Sequence, residues 1–78
     1  MSVQAYILVQ TGVGRAADVA DKIRDLSGVT LAEDVTGPYD VIVRAEANSV
    51  DELGAMVVAK VQKVDGITRT VTCPVVHI

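Results

Sequence analysis

From Val3 to Thr11 the chain alternates, with Ala5, Ile7 and Val9 on one parity and Tyr6, Leu8 and Gln10 on the other, which predicts a strand carrying apolar side chains on both faces. After Gly12-Val13-Gly14 the period changes. Ala16, Val19, Ala20, Ile23 and Leu26 recur at helical spacing while Asp18, Asp21, Lys22 and Asp25 fill the opposite side, an amphipathic helix ended by Ser27-Gly28. Val29 to Val35 is predicted as a second strand and Val41 to Ala47 as a third, joined through Gly37-Pro38 closely enough to form a hairpin. Ser49-Val50-Asp51-Glu52 has the spacing of a capping box that opens a second helix, with Leu53, Met56, Val57, Val61 and Val64 as its buried stripe and Gly54 a small cost within it. Asp65-Gly66 ends that helix, and Ile67 to Ile78 is predicted as the last strand. Pro74 lacks the N–H that a central strand must donate, so this strand belongs on an edge.

The order is βαββαβ. Two right-handed β-α-β units sharing a central hairpin give an α+β, ferredoxin-like fold: a four-stranded antiparallel sheet with both helices on one face. No segment is left to cover the other face. Tyr6, Leu8, Ile42 and Val76 are spaced to contribute to it, so a second copy of the sheet is the expected lid and the chain is expected to be an obligate homo-oligomer.

Composition narrows the function. Seventy-eight residues make one expected domain, 1–78, too small to be amply stable alone. Half of the residues are apolar, yet Tyr6 and Tyr39 are the only aromatics, so the core must be aliphatic. The lone Cys73 cannot form an intramolecular disulfide and Met1 opens no basic-then-apolar leader, which together point to a reducing cytoplasm. No apolar run approaches the ~20 residues of a membrane helix. A net charge of −3 and a pI near 4.8 leave no electrostatic footprint for nucleic acid, so direct DNA binding is not expected.

The densest chemistry lies in Thr36-Gly37-Pro38-Tyr39-Asp40-Val41. Pro38 fixes its own φ and Gly37 permits a conformation other residues resist, so the chain reverses there. Asp40 then opens a β-branched run, which places a carboxylate at the rigid mouth of a sheet, a suitable place for a small polar ligand.

The βαββαβ order, the Gly37-x-Tyr39-Asp40 turn, Val50-Asp51-Glu52-Leu53 at the second helix and Gly66-Ile67-x-x-Thr70-x-Thr72 near the end together resemble the effector-binding domain of the Lrp/AsnC (feast/famine) transcriptional regulators, the RAM domain. The resemblance covers essentially the whole chain. The family's helix-turn-helix half has no counterpart ahead of the first strand, so the chain is similar to a stand-alone effector domain. The resemblance implies sheet-to-sheet dimers, dimers joined in rings, free amino acids bound where dimers meet, and a readout through partner proteins, with full-length Lrp/AsnC-type regulators as candidates. Its ligand positions fall on Gly37, Tyr39 and Asp40, with Thr70 and Thr72 as secondary positions.

A zwitterionic amino acid needs an acceptor for its ammonium and donors for its carboxylate. Asp40 can supply the first; Tyr39, Thr70, Thr72 and turn N–H groups can supply the second. The plainer reading is that Asp40 ties its carboxylate to nearby backbone N–H groups, that Tyr39 packs at an interface, and that Thr70 and Thr72 are present for their β propensity. Gly12-Val13-Gly14-Arg15-Ala16-Ala17, with Glu33 about 20 residues on, nominally fits a dinucleotide fingerprint. A following hairpin instead of another crossover argues against it, and the two glycines are read as the turn into the helix, whose N–H groups could hold an anion. His77 is read as a solvated tail residue and Cys73 as a small buried hydrophobe. No metal spacing, cofactor motif or catalytic constellation is visible, so a non-enzymatic module is expected. The competing classes are a small dimeric α+β barrel enzyme of monooxygenase or isomerase type, and an ACT-like amino-acid-binding domain, whose ligand turn follows strand one.

Overall fold

The computed structural model describes residues 2–76. Strand β1 (Val3–Thr11) leads into helix α1 (Ala16–Arg24), followed by β2 (Val29–Asp34), β3 (Val41–Ala47), helix α2 (Val50–Met56) and β4 (Ile67–Pro74). The four strands form one sheet in the order β2-β3-β1-β4, with every neighbouring pair antiparallel. This is the ferredoxin-like fold. It puts β4 on an edge, and β1 and β2 run parallel with β3 between them.

Alternation along the central strands sorts the two faces. Ala5, Ile7 and Val9 on β1 and Val41, Val43 and Ala45 on β3 are fully buried and face the helices. From α1, Val19, Ala20 and Ile23 join them, and from α2 and the turn after it come Leu53, Met56, Val57 and Val61. The core is therefore aliphatic apart from one thioether. Met56, unbranched and polarizable, packs among the branched aliphatic residues.

The cap of α2 forms at the expected place. Glu52 N–H donates to Ser49 Oγ at 3.1 Å, and the Glu52 carboxylate reaches back to the N–H of Asn48 at 3.2 Å, one residue earlier than the reciprocal bond of an ideal capping box. The second helix differs from expectation beyond Met56. Val57–Val61 form a π-helical turn in which Gln62 N–H donates to Val57 C=O at 2.9 Å, five residues back.

Three further expectations are corrected. The last strand ends at Pro74, with one further bond from Val75 N–H to Gln4 C=O at 2.8 Å, so Val76 stands exposed beyond the sheet, and Val71 takes the place expected of it beside Leu8. Cys73 is exposed, because it lies opposite Tyr6 on the face that the helices do not cover. His77 lies outside the described residues.

Gly28 is required by the packing. Its φ is +91°, and a Cβ there would lie 2.9 Å from Met56 Sδ and 3.0 Å from the Glu46 carbonyl oxygen. Its own carbonyl accepts the Glu46 N–H at 2.7 Å, fastening the end of α1 to β3.

Candidate functional site

The β2–β3 hairpin closes at one end of the sheet. Gly37 has a φ of +150°, which L side chains rarely adopt, and open space surrounds the position a Cβ would take. Pro38 C=O accepts the side-chain N–H of Gln10 at 3.1 Å, which pins the turn to β1. Tyr39 and Asp40 are half-buried where β3 begins.

Asp40 is held by both its backbone and its side chain. Its N–H donates to Val9 C=O at 2.8 Å, its carbonyl accepts Val35 N–H at 2.9 Å, and its Oδ2 accepts Thr11 N–H at 2.8 Å. The carboxylate therefore does what a turn aspartate does, but across the sheet to a strand 29 residues away, not within its own loop. Charge-assisted bonds of this kind are shorter and stronger than neutral ones, so Asp40 is fixed in direction as well as position.

The five positions expected to form a site fall into two groups. Gly37, Tyr39 and Asp40 cluster at the hairpin. Thr70 lies at the same end of the sheet on the far side of β1, opposite Val9, the residue whose carbonyl receives the Asp40 N–H. Its hydroxyl accepts the side-chain N–H of Gln62 at 3.1 Å, in a groove of about 320 Å³ lined by those two residues with Ile67, Thr68 and Arg69. Thr72 pairs with Ile7, two residues farther along β4 and on the helix side. Sequence reasoning missed Thr11, Gln10 and Gln62. Each is placed by long-range register or by the π turn, and neither leaves a local signal.

The loop after β1 stands beside the hairpin. Gly12 N–H donates to Gly66 C=O at 2.9 Å, and the Arg15 guanidinium bonds the Asp65 carboxylate at 3.1 Å and the Asp65 carbonyl at 3.3 Å. Asp65 and then Asp18 hold the Arg15 charge more firmly than in free solution, and Lys22, ahead of Arg15, keeps the Asp18 carboxyl below its ordinary range. Glu33, the acidic residue of the nominal dinucleotide fingerprint, lies exposed on β2 opposite Ile42, and β2 does not pair with β1. The adjacent parallel strands of a dinucleotide fold are not formed here.

A second groove, of about 390 Å³, opens at the opposite end of the sheet between Gly28, Asn48, Glu52, Met56 and Lys60. Among the described residues no group of three or more His, Cys, Asp or Glu could hold a metal ion. Among the described residues, no helix is long and apolar enough to cross a membrane.

The fold agrees with the comparison to known proteins, in which residues 4–78 match the Lrp/AsnC ligand binding domain. The chain belongs to the Lrp/AsnC family. Over 55 residues, 70% of the chain, it is 31% identical to the uncharacterized HTH-type transcriptional regulator PF0250 of Pyrococcus furiosus, and those residues span 37% of that protein. Among solved structures, the hypothetical protein PHS023 from Pyrococcus horikoshii superposes with a TM-score of 0.88 at 30% identity, covering 97% of this chain and 92% of that one. E. coli AsnC superposes with a TM-score of 0.89 at 26% identity, covering 97% of this chain and 52% of AsnC. The structural match thus covers nearly all of a chain of similar size in one case and about half of a longer one in the other.

Proposed function

We propose that this chain is a non-catalytic effector-binding module of the Lrp/AsnC type, which takes a free amino acid at the Gly37-x-Tyr39-Asp40 hairpin and acts through its own assembly and through partner proteins. The observation that carries this reading is Asp40: a carboxylate fixed at the mouth of the sheet beside a turn whose glycine has open space around it. Regulators of this family bind amino-acid effectors and oligomerise, which supports the same reading for this ligand-binding domain.

The effector's ammonium is assigned to Asp40, and its carboxylate to turn N–H groups and to the hydroxyls of Tyr39 and Thr70, with Thr72 the outermost candidate. The assembly is assigned to the open sheet face, where Leu8 lies between Ile42 and Val71 with Tyr6 alongside. A cytoplasmic location and a role in transcription without direct DNA contact follow from this reading, with full-length Lrp/AsnC regulators as partners.

A thermal-shift screen of the twenty free amino acids, with mass measured by light scattering, tests it. A ligand that binds the folded assembly raises its melting temperature by mass action. Asp40→Asn keeps an oxygen to accept the Thr11 N–H but removes the charge, so it is expected to keep the fold and lose the shift. If no amino acid moves the wild-type transition at millimolar concentration, amino-acid sensing is the wrong function for this chain.

A further inference from the structure

Three polar links stand in series at the hairpin end of the sheet. Asp40 Oδ2 accepts the Thr11 N–H, the next amide along, Gly12 N–H, donates to Gly66 C=O, and Asp65, the residue before Gly66, is clasped by Arg15. The β1–β4 ladder shifts register between Gln10 and Thr11, immediately beside the first link. At such a shift the extra residue loses its regular ladder partner and the local backbone is held by whatever else is available. Here the extra residue is Thr68 of β4, while Thr11 still pairs with Ile67, and on the β3 side of β1 the Thr11 amide is met by a side-chain carboxylate. Asp40, a residue of the β2–β3 loop, therefore holds from the other edge of β1 the residue against which β4 starts, since Thr11 pairs with Ile67.

Gly66 transmits displacement because it has no slack. A Cβ there would lie 3.0 Å from Val19 Cγ2 and 3.1 Å from Arg15 Cζ, so the backbone of Gly66 rests directly on the start of α1. Gly12 and Gly66 are joined by a single backbone bond of 2.9 Å, and Ile67, the next residue, pairs with Thr11 itself. What loosens Thr11 is passed to Gly12, and from there to the first residues of β4.

We propose that the Asp40 carboxylate and the start of edge strand β4 form one cooperative unit through Thr11 and the Gly12–Gly66 link, so that withdrawing the Asp40 acceptor from Thr11 loosens Ile67 to Arg69. The input rests on the effector reading: a ligand ammonium at Asp40 competes with the Thr11 amide for the same carboxylate. The relay is a property of the ligand-free chain. Its output is the free edge of the sheet and the Gln62–Thr70 groove beside it, surfaces whose order governs what a neighbouring molecule meets.

Amide hydrogen exchange followed by NMR on the ligand-free protein tests the relay without any effector, so failure of amino-acid binding and failure of the relay are separate outcomes. Asp40→Ala is expected to speed exchange at Thr11 by about tenfold or more. Gly12 and the amides of Ile67 to Arg69 are expected to follow by at least about threefold, with Ile7 and Val43 unchanged. Asp40→Asn, which keeps the acceptor, is expected to restore most of the protection. Coupling is reciprocal, so Arg15→Ala, a change at the far end, is expected to speed exchange at Thr11 as well as at Gly12. Acceleration confined to Thr11 in Asp40→Ala, or an Arg15→Ala protein in which Thr11 exchanges at the wild-type rate, would overturn the relay. Equal acceleration at every amide would also overturn it, by making Asp40 a contributor to global stability alone. If Asp40→Ala does not fold, Asp40→Asn and Arg15→Ala decide the matter between them.

Discussion

Successive residues of β1 live in two different environments. Ala5, Ile7 and Val9 have no exposed surface and close against the helices, whereas Tyr6, one step along, is 39% exposed and Leu8 only half-buried. On the helix side the chain supplies every partner that its aliphatic residues need. The other side is incomplete. Leu8, Ile42 and Val71 make an apolar band across three strands, and polar groups gather beside it: Arg44 donates to the Tyr6 hydroxyl and to the Gln4 side-chain oxygen, and Gln4 in turn donates to Glu46 at 3.0 Å. An apolar centre with a hydrogen-bonded polar border has the anatomy of an interface, which fits the assembly proposed for this face. One strand thus serves a finished core and an unfinished one, and the contrast explains how so small a chain can carry half apolar residues.

The sharpest way to break that contrast is to injure each face in turn. Ile23→Ala removes a fully buried side chain that packs onto the sheet, and it is expected to cost about 2–5 kcal/mol in urea unfolding. For a domain whose whole stability is on the order of 5–15 kcal/mol this is a large part, and it should appear as a lower denaturation midpoint at any protein concentration. Leu8→Asp places a carboxylate in the apolar band, and its expected effect is loss of assembly: lower mass by light scattering and a melting temperature that no longer rises with protein concentration. The secondary structure of the dissociated chain should persist at low temperature. If Leu8→Asp unfolds the chain independently of concentration, as Ile23→Ala is expected to weaken it, the two faces are not separate cores and the unfinished-face account fails.

What the sequence made legible follows the same division. The helix-facing stripe was readable because each position repeats the local period: Val19, Ala20 and Ile23 on α1 and Leu53, Met56, Val57 and Val61 after it are all buried. The β4 edge was readable from Pro74, since a missing donor is a local fact. The exposure of Cys73 was not. A strand with apolar residues on both parities does not say which parity the helices cover, and Cys73 falls on the uncovered one, opposite Tyr6. The π turn was hidden because widening a helix by one residue keeps the same side chains inward over so short a stretch. The candidate site was legible only as far as its own loop. Gly37, Tyr39 and Asp40 could be picked out as neighbours in sequence, but the bond from Thr11 to Asp40 spans 29 residues and depends on the β1–β3 register, which no local pattern encodes.

The smallest expected effect concerns the exposed cluster at the start of α1, and it separates surface charge from both faces of the sheet. Asp18 lies 3.2 Å from Lys22 one turn on and 3.4 Å from Arg15, and the Lys22 hydrogen bond is the larger cause of its depressed carboxyl pKa. A carboxyl whose folded pKa lies below its unfolded one contributes stability that is fully present above the unfolded value, about 4, and is lost as pH falls through the folded one. Asp18→Asn should therefore lower the melting temperature slightly near pH 7, by the little that exposed ion pairs on a helix surface contribute, and this difference from wild type should vanish as the pH falls well below about 4. Raising the salt concentration should shrink even that difference, since charges in water are screened. A variant whose stability changed as much at pH 7 as below about pH 4, insensitive to salt, would show that Asp18 acts through packing, and that the start of α1 belongs with the core more than with the solvent.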